Sequence, residues 1–132
     1  MLTTPGVTTI MSSILETAGA VGFSSANPSA NIQPTDEKGS VTLDQVKNWD
    51  PEVIITTNNE LRQTVAVDSQ WRGITAVKNN RVYSNPAEAT FDGMKSLMGL
   101  IWIATLLYPD KVGIDFSREV HSYQALFNKI KD

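Results

Sequence analysis

The chain has 132 residues, of which 41% are hydrophobic and 19% are charged, and its formal net charge is -3. These values are ordinary for one globular domain, which we predict to span residues 1–132. The slight acidic balance gives no electrostatic basis for binding nucleic acid or an anionic membrane. The absence of cysteine excludes disulfides and thiolate metal sites.

The first residues, Met1–Gly6, lack the basic and apolar regions of a signal peptide. The longest apolar stretch, Leu97–Tyr108, is shorter than the ~20 residues that a membrane-spanning helix needs. Two alternatives stay open: a cytosolic protein, or an exported protein whose precursor begins before Met1.

The amino-terminal third predicts one helix, a short strand and a long loop. Apolar residues at helical spacing indicate a helix over residues 8–18, with Gly19 as its C-terminal stop. Residues 21–23 predict a short strand. The segment 24–39 is rich in Ser, Asn and Pro and predicts a loop long enough to be functional.

The middle of the chain begins with a capping box, because Thr42 is followed three residues later by Gln45. This spacing predicts a short helix over residues 43–49, which ends at Asp50–Pro51 because the residue before proline avoids the helical region. Residues 53–57 are all β-branched and predict a strand buried in a parallel sheet.

A second helix and strand follow. Asn58–Asn59 is predicted to be a turn, residues 60–67 a helix, and residues 81–83 a strand after a polar turn at residues 78–80. Residues 84–90, which contain a proline, are predicted to form a loop.

The carboxy-terminal third predicts two helices. Residues 92–108 are apolar around most of the helix circumference, which is typical of a buried helix, and Pro109 ends it. Ser117 is predicted to cap a last helix with Val120, Tyr123, Phe127 and Ile130 on one face. His121 lies next to this face, where we expect it at the surface or half-buried. The alternation of strands and helices predicts an α/β fold, a small parallel sheet covered by helices on both faces.

The sequence carries no recognisable catalytic motif. His121 is the only histidine, no pair of carboxylates has acid–base spacing, and no phosphate-binding or dinucleotide-binding loop is present. We therefore expect a protein that is not an enzyme and has no metal site and no cofactor.

Polar and aromatic residues after the predicted strands are the candidate ligand contacts, because ligands of open α/β sheets bind beyond the carboxyl ends of the strands. The candidates are Asn58, Asn59, Trp71, Glu88, Thr90 and Phe91. Ordinary structural roles compete with this interpretation: the asparagines as turn residues, the aromatic rings as packing residues and the carboxylate as a solvated group.

Several segments, taken in order, resemble one family. They are TTPG at Thr3–Gly6, VTLDQVKNWDPEVII at Val41–Ile55, WRGITAVKNNRVYSNP at Trp71–Pro86 and LIWIATLLYPD at Leu100–Asp110. Together they are similar to the second lobe of the substrate-binding proteins of ABC importers for iron siderophores, cobalamin, haem and molybdate.

The resemblance implies a protein of two α/β lobes joined by a long helix, with the ligand held in the cleft between them. This chain matches only the carboxy-terminal lobe, and the amino-terminal lobe and the linking helix are absent from it. The implied function is capture of a metal chelate (siderophore, cobalamin or haem type) or an oxyanion and its delivery to an ABC transporter permease. The implied location is extracytoplasmic, in the periplasm or on a membrane-anchored lipoprotein.

One residue role follows from the resemblance alone. Members of this family carry a carboxylate on the outer surface of each lobe that docks on the permease, and the matching residue here is Asp44. An acid in the first turn of a helix also stabilises the helix dipole without any partner, by about 0.3–1 kcal/mol. The alternative for the whole chain is a stand-alone, non-enzymatic interaction domain derived from such a lobe.

Overall fold

A computed structural model describes residues 2–4, 15–21, 39–86 and 96–131. Its helices and strands are β1 (Leu2–Thr4), β2 (Gly39–Val41), α1 (Leu43–Trp49), β3 (Ile54–Thr56), α2 (Asn59–Val67), a 3-10 helix (Ser69–Trp71), α3 (Thr75–Lys78), β4 (Val82–Ser84), α4 (Ser96–Leu107) and α5 (Phe116–Lys131). The chain divides into two compact units, residues 1–9 with 22–86 and residues 10–21 with 87–132. In the described ranges, no helix has the length and apolar character needed to cross a membrane.

The first unit contains the parallel pair of strands that the sequence predicts. β3 and β4 pair in parallel, with Ile54 opposite Val82 and Thr56 opposite Ser84. The helix α2 lies between β3 and β4 in the chain and packs against both strands. The predicted α/β class with a small parallel sheet is therefore confirmed.

A cluster of buried side chains forms the core of this unit. Its members are Val65, Trp71, Ile74, Ala76 and Val82, with Leu43, Val46, Ile54 and Val77 packed against them. Ile74 is only 1% exposed, and burying a side chain of this size contributes about 1.5–3 kcal/mol. The core therefore ties the strands β3 and β4 to the helices before and after them.

The helix α1 begins and ends as the sequence predicts. The Thr42 hydroxyl accepts a hydrogen bond from Gln45 N at 3.2 Å, and Gln45 Oε1 accepts one from Thr42 N at 2.8 Å, which completes the capping box. Asp50 ends the helix with φ of 51°, in the left-handed region, and its N–H donates to Val46 O.

Two parts of the first unit differ from the prediction. β1 and β2 form an antiparallel pair that includes Gly39, the last residue of the predicted loop. Thr75–Lys78 forms the helix α3, where the sequence analysis placed only a polar turn from Lys78 onward. This turn prediction is wrong for Lys78 because a distant carboxylate, that of Asp50, accepts hydrogen bonds from Thr75 and stabilises the start of the helix.

In the second unit, Gly19 ends a helix as predicted. Its φ is +86°, and the hydrogen bonds from Gly19 N to Glu16 O and from Ala20 N to Leu15 O, both 2.9 Å, form a Schellman motif. Val21 is not in a strand. Residues 8–14 and 22–23, also part of the predicted helix and strand, lie outside the described residues.

The two carboxy-terminal helices are present, with one corrected cap. Ser117 does not cap α5, because the helix already begins at Phe116 and Asp115 precedes it. The Asp115 carboxylate accepts a hydrogen bond from Arg118 N at 3.3 Å. In α4, Met98, Gly99 and Ile103 are buried, whereas Leu97 is 54% exposed, so the helix is not covered all round.

Candidate ligand-binding site at the strand ends

The carboxyl ends of β3 and β4 lie side by side, because the two strands are parallel and in register. The backbone pairing continues one residue past β4, where Asn85 N donates to Thr56 O at 3.3 Å. The segments that follow the two strands therefore start from the same edge of the sheet. This edge is where open α/β sheets bind ligands.

Thr56 links the two strand ends through its side chain. It is 5% exposed, and its hydroxyl donates to Asn58 O at 2.9 Å and to Tyr83 O at 3.1 Å. A hydroxyl has a single proton, so the two carbonyls share one three-centre bond. Thr56 was not among the candidates from the sequence, although it is a hydroxyl-bearing side chain within a run of β-branched strand residues.

Asn58 and Asn59 open the helix α2 rather than forming an isolated turn. Asn58 is the N-cap, and its Oδ1 accepts a hydrogen bond from Leu61 N at 2.8 Å. Asn59 is the first helical residue, and its Oδ1 accepts one from Arg62 Nη1 at 3.1 Å. Both amide oxygens are thus engaged inside the chain.

The amide nitrogens of Asn58 and Asn59, unlike the amide oxygens, make no hydrogen bond within the described residues. Each partner of the amide oxygens is a hydrogen-bond donor, which fixes the oxygen of each amide inward and its nitrogen outward. Both side chains are exposed, and neither Nδ2 group has a partner among the described residues. Within the described residues, the strand edge therefore carries two exposed NH₂ donors.

Arg62 connects this helix start to β4. Its Nε donates to Val82 O at 3.1 Å, while its Nη1 holds Asn59. Arg62 was not among the candidates from the sequence either. The available signal was its spacing, because residues three apart on a helix are neighbours on its surface.

Comparison with known proteins identifies the family. A family model described as periplasmic binding protein matches residues 3–89, which include β3, β4, α2 and the strand-end residues.

The chain belongs to the periplasmic binding protein family.

Solved structures of such binding proteins resemble the chain. The molybdate periplasmic binding protein MolA of Haemophilus influenzae, bound to molybdate, is 27% identical, with a TM-score of 0.77 over 92% of this chain. An ABC transporter solute binding protein from Sulfurospirillum deleyianum is 26% identical, with a TM-score of 0.77 over 96% of this chain. A periplasmic solute binding protein from Veillonella parvula, 20% identical with a TM-score of 0.67, shares the fold.

The chain spans only part of these relatives. It covers 37% of MolA, 39% of the Sulfurospirillum protein and 37% of the Veillonella protein. None of the curated proteins matches it. The matched portion corresponds to one lobe of a periplasmic binding protein, a family of non-enzymatic transport components that act outside the cytoplasm.

Of the other predicted ligand contacts in this lobe of the binding protein, the structure describes Trp71 alone. Trp71 is 9% exposed and belongs to the core cluster, which is the position of a packing residue, and its ligand contact stays a prediction. Glu88, Thr90 and Phe91 lie outside the described residues. Of the six candidates, the structure brings together Asn58 and Asn59.

Asp44 occupies an exposed position in the first turn of α1. The capping box fixes the helix immediately before it, and no described residue hydrogen-bonds or pairs with its carboxylate. Among the described residues, no three His, Asp or Glu side chains are grouped so as to hold a metal ion.

Proposed function

We propose that the chain forms the second lobe of the substrate-binding component of an ABC importer. Its role is to capture a small ligand outside the cytoplasm, in the periplasm or on a membrane-anchored lipoprotein, and to deliver it to the permease. The observation that carries this proposal is the pair of outward amide donors of Asn58 and Asn59 at the strand edge of a periplasmic binding protein fold.

The chemistry of these donors favours an oxyanion as the ligand. An amide NH₂ group donates hydrogen bonds and does not ligate a metal ion, so it suits the oxygen atoms of an anion. The start of α2 adds the positive end of a helix dipole. MolA, which resembles this chain, is bound to molybdate. A metal chelate of the siderophore, cobalamin or haem type, whose periphery carries oxygen acceptors, is the alternative ligand.

One charge opposes an anion at this edge. Glu60 is exposed in the first turn of α2, and its carboxylate repels a negative ligand. Because that group is in contact with water and salt, its repulsion is screened. Short hydrogen bonds to an ionised acceptor are stronger than neutral ones. The attraction from the amide donors is therefore expected to exceed the repulsion from Glu60.

Binding in this family fold takes place between two lobes, and this chain provides one wall of the cleft. Capture is then a hinge closure without bond chemistry. Glu88, Thr90, Phe91 and Trp71 are proposed as further contacts on the same wall. The isolated chain is expected to bind poorly, because half of the ligand surface comes from an amino-terminal lobe.

Calorimetry tests the proposal on two proteins: this chain alone, and a two-lobed form in which an amino-terminal lobe precedes Met1. Each is titrated with molybdate, a ferric siderophore, cobalamin and haem. We expect tight binding of molybdate by the two-lobed form and weak binding by the chain alone. Equal tight binding by both would contradict the two-lobe account.

A substitution tests the contribution of the Asn59 amide donor to binding without disturbing the fold. Asn59→Asp keeps an oxygen for Arg62 and replaces the NH₂ donor with a second anionic oxygen, so it should abolish oxyanion binding with little loss of stability. Asn48→Asp makes the same change on the exposed surface of α1 and should bind as the unmodified protein does. Equal affinity in both variants would exclude Asn59 from the site.

The second candidate function is a stand-alone interaction domain. Leu97, 54% exposed on α4, favours it, because an exposed leucine on an apolar helix is suited to covering by another protein. If the two-lobed form binds none of the four ligands, this candidate replaces the importer proposal.

A further inference from the structure

Arg62 joins two elements that each border the strand edge. Its side chain leaves α2 one turn after the helix begins and holds Asn59 through Nη1. The same guanidinium reaches across to β4 and donates from Nε to Val82 O at 3.1 Å. One planar group is thus bonded to the start of the helix and to the backbone of the neighbouring strand.

The parallel pairing with β3 does not use the carbonyl of Val82. Arg81 O accepts from Ile54 N at 3.1 Å, and Asn85 N donates to Thr56 O at 3.3 Å. Adjacent residues of a strand direct their backbone polar groups to opposite sides, so Val82 O is directed away from β3. Arg62 therefore holds β4 from the side opposite to β3.

The geometry requires an arginine. A guanidinium presents its N–H groups in a rigid fork, so two bonds in different directions fix the orientation of the whole group. A lysine ammonium at the same position is a point charge on a flexible stem and does not fix two partners in one plane. The side chain of Asn59 is oriented by this fork, which leaves its Nδ2 outward.

We infer that Arg62 is a positioning residue for the ligand site, an inference that rests on the proposed function. It sets the direction of the Asn59 amide and the position of β4 and of Asn85 and Pro86 beyond it, without contacting the ligand. The donors at the strand edge are then held in place before the ligand arrives, and preorganisation of this kind raises affinity by lowering the cost of ordering the site.

The test compares Arg62→Lys and Arg62→Ala with Arg72→Ala. Arg72 is also exposed, and its side chain has no hydrogen bond among the described residues, so it controls for the lost charge. Amide hydrogen exchange is measured on this chain for residues 83–85, and molybdate affinity is measured by calorimetry on the two-lobed form. Thermal unfolding confirms that each variant is folded.

We expect both Arg62 variants to lose about tenfold in exchange protection at residues 83–85 and about tenfold in molybdate affinity, which corresponds to about 1.4 kcal/mol. Arg72→Ala should change neither. If Arg62→Ala unfolds the chain, Arg62→Lys, which keeps the charge and the aliphatic stem, gives the decisive comparison.

The combination of exchange protection and ligand affinity shows which part of the inference is wrong. Unchanged protection with reduced affinity would mean that Arg62 contacts the ligand directly, and would overturn the positioning role. Reduced protection with unchanged affinity would show a purely structural contact and would overturn it too. If the unmodified two-lobed form does not bind molybdate or any other of the four ligands, the proposed function fails, and a loss of protection still supports the positioning of β4 by Arg62.

Discussion

The carboxylate of Asp50 holds the first residue of a helix that begins 25 residues later, at Thr75. Its Oδ1 accepts a hydrogen bond from Thr75 N at 2.7 Å and its Oδ2 accepts one from the Thr75 hydroxyl at 2.8 Å. Asp50 also ends α1 in the left-handed conformation. One residue therefore ends one helix and stabilises the start of another.

This contact predicts a pH-dependent stability. The two hydrogen bonds from Thr75, and then the positive charge of Lys78, lower the pKa of Asp50 below its ordinary value. A carboxylate whose pKa is lower in the folded state stabilises the fold above its unfolded pKa, and this contribution is lost as the pH falls through the folded pKa. Asp50→Asn should therefore unfold at lower urea concentration than the unmodified chain at neutral pH. The difference in the free energy of unfolding between the two should shrink below pH about 4.

The matched control for this measurement is Asp110→Asn. Asp110 is exposed and has no hydrogen bond among the described residues, so its stability curve should run parallel to that of the unmodified chain. If Asp50→Asn lowers the free energy of unfolding by the same amount across the whole pH range, the charge of Asp50 has no part in holding Thr75.

Gly19→Ala is expected to destabilise the second unit. The φ of +86° costs an L-residue about 1–2 kcal/mol. The added Cβ would also lie 2.8 Å from the hydroxyl oxygen of Tyr108, which donates a hydrogen bond to Gly19 O. Urea unfolding followed by circular dichroism gives the difference. Gly113→Ala, where an added Cβ meets nothing within 4 Å, is the control and should leave stability nearly unchanged.

Thr56→Val tests the link between the strand ends. Valine has the same shape but removes the hydroxyl that donates to Asn58 O and Tyr83 O. Loss of a donor at a position that is 5% exposed should lower the free energy of unfolding by about 1–2 kcal/mol. Thr57→Val, at an exposed neighbouring position, should cost much less. If the two variants have equal stability, the hydroxyl does not stabilise this edge.

Asp44→Ala tests permease docking in cells that carry the complete importer. We expect uptake to fall severalfold while ligand affinity measured by calorimetry stays the same, because the exposed carboxylate lies on α1 and not at the strand edge. Asp44→Glu should retain uptake, since the longer side chain carries the same charge. Glu52→Ala, which removes another exposed acid, should be neutral, and normal uptake in Asp44→Ala would refute the docking role.

Local chemistry made much of the first unit predictable. The capping box at Thr42 and Gln45 sets the start of α1, and β-branched residues over 53–57 set a strand, because both signals depend on near neighbours in the chain. The positive φ at Gly19 was predictable for the same reason, since only glycine takes that conformation without steric cost. The α/β class followed from the order of such signals, and the family followed from the ordered motifs that resemble it.

The long-range contacts were not predictable in this way. Three hydrogen bonds join residues that are far apart in the chain. Thr75 bonds to Asp50 over 25 positions, Arg62 to Val82 over 20, and Thr56 to Tyr83 over 27. No local pattern encodes these distances. They depend on how the strands and helices pack, which is why the sequence does not predict the α3 helix and the predicted polar turn is wrong at Lys78.

The sequence by itself therefore determined the family, the candidate residues Asn58 and Asn59 and most of the helices and strands, but not β1, β2 or α3. What it determined depends on local conformation and on ordered motifs. Only the tertiary structure decided which atoms of those residues are available. The amide oxygens are bonded to Leu61 and Arg62, and the amide nitrogens are left outward. The direction of a hydrogen-bond donor depends on partners brought close by folding, and for Asn59 that partner, Arg62, is itself fixed by a strand 20 residues away.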